Sequence, residues 1–311
     1  MDTGKNPSRQ ALLGSVLILL GAIAFSAKAI LIKIAYAASA PPDAVTLLTL
    51  RMMMALPVFL AVALWDRASS GQGHRTGGDW AALMVLGILG YYLASLLDFE
   101  GLEYISAGLE RLILFLYPTI VVILTAALYR RPIGVPQRWA LLLSYAGIAL
   151  VYSRDPHLAS SDTALGALLV FGSALSFAVY LTGSGHFIPR FGSRRFTAYS
   201  MSVACLAIIG QFLITRPIQQ LLVSTRVFSI ALTLALVCTV TPAFLMNAGI
   251  RRIGADQAAL IGTVGPVSTL AMAYLFLDET LVPVQILGAA MVLGGVVLVT
   301  LRKREPSVTQ R

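Results

Sequence analysis

Apolar residues fill the chain in stretches of about 20, the length a helix needs to cross a hydrocarbon core of roughly 30 Å. Ten such stretches are predicted, at 12–35, 45–65, 80–99, 105–128 and 135–153, then 164–183, 196–215, 227–249, 255–277 and 282–301. They are apolar all round rather than along one stripe, as expected of helices surrounded by lipid and by one another. Polar residues gather in the short connections and in the tail after residue 302.

The pattern repeats. GLEYISAGLERLILFLYPTIVVILTAAL at 101–128 returns in paler form as GIRRIGADQAALIGTVGPVSTLAMAYLF at 249–276. Gly101, Ile105, Leu112, Pro118, Gln137 and Gly147 match Gly249, Ile253, Leu260, Pro266, Gln285 and Gly295 at one offset, 148. Gly14 and Phe25 return as Gly166 and Phe177 at an offset of 152. The expected organisation is therefore a first repeat at 1–153, an external hinge loop at 154–163, a second repeat at 164–302 and a cytoplasmic tail at 303–311. Matched charges change sign: Glu103 stands opposite Arg251, and Arg130 and Arg131 opposite Asp278 and Glu279. Five spans per repeat turn the second copy upside down, so the basic loops move between matched positions. The predicted fold is an all-α integral membrane protein of ten transmembrane helices in two inverted five-helix repeats, an arrangement characteristic of secondary transporters.

Composition agrees. The 311-residue chain is 58% hydrophobic and 12% charged, with mean hydropathy +0.83, more apolar surface than a soluble core hides. A formal charge of +9 raises nucleic acid as a partner, but the basic residues sit between apolar runs and form no binding motif. Sixteen of the 23 Lys and Arg fall at span ends on one predicted face and three, Arg154, Arg216 and Arg226, on the other. The positive-inside rule then puts both termini in the cytoplasm of a cell in whose plasma or inner membrane the chain lies. Lys5 and Arg9 ahead of an apolar run, with Ala38-Ser39-Ala40 behind it, imitate a secretory signal; the run is too long, carries Lys28 and Lys33, and recurs later, so it is read as the first span.

The remaining four cations, Lys28, Lys33, Arg51 and Arg111, fall inside predicted spans, where a charge costs at least roughly 2.5 kcal/mol and faces a cavity or a partner. Asp98, Glu100 and Glu110 supply the opposite sign, Glu100 at a helix end or loop. At about 1.5 Å per residue, Lys28, Arg51, Asp98 and Glu110 share one level within roughly 10 Å of the outer boundary. They form the charged wall of a cavity, as structural ion pairs or as substrate contacts; Glu110 and Asp98 are also the candidate coupling residues. Lys33 is expected to snorkel outward. Glu110 and Arg111 point about 100° apart, so one is expected to face the cavity and the other a neighbouring helix. The second repeat contributes neutral candidates, Tyr180, Gln211, Thr239, Thr241 and Asn247, and Phe25, Tyr91, Tyr92, Tyr117 and Phe177 add aromatic surface. A cavity with one charged and one polar or aromatic wall suits a zwitterionic or amphipathic metabolite.

Pro118 and Pro266 interrupt matched apolar runs, where a soluble helix would lose about 3 kcal/mol; they are gating flex points or static kinks. Gly147, Gly288, Gly294 and Gly295 permit close contact of the fifth and tenth helices, within the bundle of a monomer or at a homodimer seam. Cys205 and Cys238 lie in separate apolar runs as packing residues, and His74, His157 and His186 are scattered without ligand spacing, so no metal and no cofactor is expected. No Walker loop, dinucleotide fingerprint or nucleophile elbow is present, and no His, Asp or Cys constellation of a membrane-embedded enzyme.

Thr49-Leu50-Arg51, the helix from Ile105-Ser106-Ala107 to Tyr117-Pro118, and Asp278-Glu279-Thr280 with Gln285-Ile286-Leu287-Gly288-Ala289 resemble the EamA-type members of the drug/metabolite transporter superfamily over nearly the whole chain. The resemblance implies a ten-helix bundle moving amino acids, related metabolites or drugs by alternating access, most often outward. It further implies a cavity lined by the first, third, fourth, sixth, eighth and ninth helices, with the fifth and tenth peripheral. Tyr129-Arg130-Arg131 replaces the family's frequent Gly-Glu-Arg, so no role is carried to those positions, and the Glu110-Arg111 pair argues against an uncharged drug. The expected function is secondary transport of a small polar metabolite, by export or exchange. A multidrug exporter, a passive facilitator and a membrane scaffold or sensor are the alternatives. A fluorescent protein fused after Arg311 is expected to be bright in the cytoplasm and a phosphatase fused there inactive; the reverse pair of readings would overturn this topology.

Overall fold

In the computed structural model, residues 7–69, 76–128, 130, 134–152, 161–253, 258, 261–262, 264–279 and 282–301 are described. Among them every element is helical. The first half holds α1 (Pro7–Tyr36), α2 (Ala44–Ser69), α3 (Gly77–Tyr104), α4 (Ala107–Leu128) and α5 (Val135–Tyr152). The second holds α6 (Ser161–Phe191), α7 (Ser193–Thr215), α8 in the segments Thr225–Ala235, Leu236–Val240 and Thr241–Ile253, α9 (Val264–Leu277) and α10 (Pro283–Leu301). Among the described residues seven helices are long and apolar enough to cross a membrane, those in α1 to α4 and α6 to α8. Three shorter apolar stretches, Leu141–Val151, Val264–Leu277 and Pro283–Gly295, lie in α5, α9 and α10.

Several boundaries move. α3 continues to Tyr104, which takes Glu100 into the helix, because the Gly101 carbonyl still finds the Ile105 N–H. α6 begins at Ser161, inside the expected hinge, whose residues 154–160 lie outside the described ones. α4 is broken at Phe115 and Leu116. The break precedes Pro118, which has no N–H for the Leu114 carbonyl and whose ring crowds it. Pro266 sits buried in the first turn of α9, where a missing N–H is tolerated.

The helices pair across the two halves. α1 lies along α8, α3 along α6, α2 along α7 and α5 along α10, while α4 packs on α6 and α9 on α1. Exchange of the first, second, third, fourth and fifth helices of one half for those of the other turns this set of contacts into itself. Direction follows from the residues that meet. Gly14 adjoins Gly249 and Gly21 adjoins Met246, so α1 and α8 are antiparallel; Gly101 meets Gly166 and Gly90 meets Tyr180, so α3 and α6 are too. Lys28 reaches Asp98 and Lys33 reaches Leu102, so α1 and α3 run the same way. By these contacts α1 and α6 point in opposite directions, and so do α3 and α8.

Local irregularities repeat as well. α3 widens into a π-helical turn at Ile88–Leu93 and α8 at Leu236–Val240, and 236 − 88 is again 148. Their closing bonds run from Ala94 N–H to Leu89 O and from Thr241 N–H to Leu236 O, five residues back in each. Pro242 forces the second by removing the next donor. Arg130 and Asp278, also 148 apart, are the non-glycine residues with positive φ, 51° and 53°, among those described. Arg130 follows the C-terminus of α4. Glu279, next to Asp278, accepts hydrogen bonds from Ala107 N (3.0 Å) and Gly108 N (3.3 Å) at the N-terminus of that same helix. At 1.5 Å per residue the two ends lie roughly 30 Å apart.

Glycine makes the close pairs possible. A Cβ on Gly101 would stand 3.0 Å from the Gly166 carbonyl and 2.5 Å from Val170, and one on Gly147 2.6 Å from the Gly288 carbonyl. Gly147 and Gly288 therefore join α5 to α10 inside the molecule. Cys205 and Cys238 are buried packing residues, Cys205 Sγ lying 3.6 Å from Met52 Sδ. Gly101→Ala is expected to lower stability by about 1–3 kcal/mol through overpacking. Gly210→Ala, which faces open space, is expected to change it by less than about 0.5 kcal/mol; melting of the detergent-solubilised variants measures both.

Candidate functional site

Five ionisable side chains meet near the seam of the halves. Lys28 on α1, Arg51 on α2, Asp98 on α3, and Glu110 and Arg111 on α4 are each 5% exposed or less. Lys28 Nζ donates to Asp98 Oδ2 at 2.5 Å and lies 3.4 Å from Glu110 Oε1. One ammonium therefore serves two carboxylates that also lie against each other, and Asp98 Oδ1 and both Glu110 oxygens receive no hydrogen bond from any other residue described. Leaving a buried charged group short of partners costs several kcal/mol.

The guanidinium groups are held differently. Arg51 Nε donates to Thr239 Oγ1 at 2.7 Å, and its Cζ lies 5.3 Å from the Phe99 ring centroid. Thr239 belongs to the π-helical turn of α8, and its hydroxyl donates to Leu234 O at 2.8 Å. The irregular turn is thus what presents a hydroxyl oxygen to Arg51 across the seam. Arg111 Nη2 approaches Ser26 Oγ at 3.4 Å, with its Cζ 4.9 Å from the Phe25 ring, whose centroid is also 5.4 Å from Lys28 Nζ. Opposite stands Gly265 of α9, where a Cβ would be 2.8 Å from Arg111 Nη2. Ser26 Oγ lies 2.8 Å from Gly265 O, stitching α1 to α9. Both Glu110 and Arg111 lie against α1, contrary to the expected division between a cavity and another helix. Long side chains close the roughly 100° between neighbouring positions.

The aromatic candidates form a second patch beside the charges. The hydroxyls of Tyr91 and Tyr180 are 3.1 Å apart, Phe177 stacks on Tyr180, and Tyr117 meets Phe177 edge-on at 5.2 Å between centroids. Tyr180 covers Gly90 in the π-helical turn of α3. The neutral candidate Gln211 accepts from Tyr92 Oη at 3.0 Å. The side chain of Asn247 lies outside the described residues, as do His74, His157, Asp256 and Gln257. Lys33 is half-buried near the end of α1, and its Nζ donates to Leu102 O at 3.0 Å, satisfying a carbonyl of the last turn of α3. Ser26 and Gly265 were not legible as site residues, since small residues in apolar runs serve packing far more often.

Ion pairs join the halves at both ends of the bundle. Asp79 on α3 pairs with Arg190 on α6 at one end. Asp43, before α2, pairs with Arg216, after α7, at 2.6 Å at the other. Burial pushes the Asp43 carboxyl up, but hydrogen bonds from Thr46 and Arg216 outweigh it and hold the group below the usual carboxylate range. This tie stands at neutral pH and is lost as pH falls through that lowered value. Beside it, a depression of about 540 Å³ is lined by Lys33, Tyr36, Pro41, Asp43 and Glu103. Lys28 lies five residues deeper along α1, about 7.5 Å.

The EamA-like transporter family model matches the chain twice, at residues 12–153 and 164–301. An uncharacterized transporter of Bacillus subtilis, YcbK, is 33% identical over 94% of this chain and 92% of its own length. An uncharacterized transporter of Synechocystis, sll1319, is 24% identical over 95% of both. A protein of known crystal structure superposes with a TM-score of 0.60 at 17% identity over 94% of this chain and 97% of that one, a likeness of fold. Two matched halves, a relative above 30% identity along nearly the whole chain, and a bundle of apolar helices lead to one assignment: the chain belongs to the EamA-like transporter family, a multi-pass membrane protein that carries solute across the bilayer.

Proposed function

We propose that this chain is a ten-span secondary transporter of small polar metabolites, amino acids or related compounds. Its two inverted five-helix repeats alternate in exposing one central site, and it exports or exchanges its solute across the plasma or inner membrane with both termini in the cytoplasm. The observation that carries the proposal is the buried charge cluster contributed by α1, α2, α3 and α4, with Thr239 of α8 and Gly265 of α9 closing it from the other half. Such charges in a lipid-embedded bundle mark solute and ion paths. The ion pairs that tie the halves together at both ends support a state midway between outward and inward opening.

Lys28, Arg51, Asp98 and Glu110 bind the polar groups of the solute, and Tyr91, Tyr117 and Tyr180 line the apolar side, with Asn247 assigned to the same wall. Asp98 and Glu110 hold the driving proton. With both carboxylates ionised the trio of Lys28, Asp98 and Glu110 carries one negative charge in excess, which either a proton or the ammonium of a solute neutralises. Mutual exclusion of the two at one place is what an exchanger requires. Pro118, after the break in α4, and Pro266, in the first turn of α9, are the flex points.

In vesicles reconstituted with the chain and loaded with the common L-amino acids, an inwardly directed proton gradient is expected to accelerate efflux of the transported member. Glu110→Gln is expected to remove that acceleration and to raise the KM for the solute. Efflux indifferent to the gradient would leave a facilitator. Wild-type flux in the Arg51→Gln, Asp98→Asn double variant would exclude both residues from the site.

A further inference from the structure

Arg51 is a buried cation without an ion-pair partner among the described residues. Its guanidinium is 5% exposed, its Nη1 has no hydrogen-bond partner, and no carboxylate lies within 4.0 Å among the described residues. A guanidinium stays protonated in any protein environment, so the charge cannot be relieved by losing a proton. The contact it does make leaves Nη1 without a partner. Nε is fixed by Thr239 Oγ1, and the ring of Phe99 lies beside the group, which orients the planar fork without neutralising it. The balance within the cluster has the same sign: three cations, Lys28, Arg51 and Arg111, against two carboxylates, Asp98 and Glu110, which already share Lys28.

We infer that Arg51, positioned by Thr239, is the subsite for the carboxylate of the transported solute, and that a solute without that carboxylate is not carried. A carboxylate accepts two parallel N–H bonds from such a fork, which a hydroxyl or an amide cannot reproduce. The zwitterion of an amino acid then spans the site, its carboxylate at Arg51 and its ammonium toward the unpartnered oxygens of Asp98 and Glu110. The anchor lies across the seam: Arg51 belongs to α2 and Thr239 to the π-helical turn of α8. Carboxylate binding therefore bears on both halves, and the inference rests on the transport reading above.

The test uses full-length protein in vesicles loaded with L-amino acids mixed with the amines that decarboxylation makes from them, ethanolamine beside serine and putrescine beside ornithine among them. Efflux is followed by mass spectrometry against protein-free vesicles. Carboxylate-bearing members are expected to leave at least about tenfold faster than their amines, and Arg51→Gln to raise their KM on the order of 10- to 100-fold at unchanged melting temperature. Arg51→Lys, which keeps the charge but not the fork, is expected to recover part of that loss. If the amines leave as fast as their parents, or Arg51→Gln keeps the wild-type KM, the inference falls and transport stands. A purely structural role would show instead as a lowered melting temperature with KM intact. If no compound leaves faster than from protein-free vesicles, amino-acid transport itself falls, and the carboxylate subsite with it.

Discussion

Lipid solvates neither a backbone amide nor an ion, and the structure follows from that asymmetry. Every backbone group has to be met within its own helix, so the chain folds as helices, and every ion has to be met by another side chain, so the helices that carry ions have to converge. Lys28, Arg51, Asp98, Glu110 and Arg111 come from four helices and meet in one place, where each is 5% exposed or less. The meeting is incomplete. One ammonium faces two carboxylates and two guanidinium groups face none within ion-pair distance, so the cluster fixes the approach of α1 to α3 and α4 while keeping unmet polar atoms in its interior. A merely structural network would be expected to close its hydrogen bonds; one that takes up a solute has to leave some open.

The seam between the halves is built to a different rule. No hydrophobic force drives one apolar helix onto another in lipid, so close approach has to be earned by shape. Gly14 with Gly249, and Gly101 with Gly166, bring the α1–α8 and α3–α6 pairs into backbone contact at matched positions. The π-helical turns at Ile88–Leu93 and Leu236–Val240 break the regular ladder at matched depths in the third helix of each half. The second presents Thr239 to Arg51; the first is covered by Tyr180 at Gly90. The symmetric scaffold thus holds an asymmetric site, charged on the first half and neutral on the second.

Much of this was legible in the residues. Apolar runs of about 20, a constant offset of 148 and the exchange of Glu103 for Arg251 required a membrane bundle with an internal repeat, because these features follow from the chain's local contact with lipid and need no partner. Charges inside apolar runs announced a meeting of side chains for the same reason: each needs a partner to offset its desolvation. Depth counted at 1.5 Å per residue placed Lys28, Arg51, Asp98 and Glu110 at one level; Lys28, Asp98 and Glu110 are in contact, while Arg51 turns to Thr239.

Pairing was decided only by the tertiary structure. Helical periodicity fixes where a residue stands on its own helix but not which neighbour it faces or how far its side chain extends, so the joint approach of Glu110 and Arg111 to α1, and of Lys33 to Leu102, was beyond the sequence. The roles of Ser26, Gly265 and Thr239 were equally hidden, since a small or hydroxyl residue acquires a function only from what is packed against it. The residues by themselves determined that ions would be buried in a repeated bundle of helices; the packing of one half on the other decided that Arg51 would be left with a hydroxyl instead of a carboxylate, because that outcome depends on distances between helices far apart in the chain.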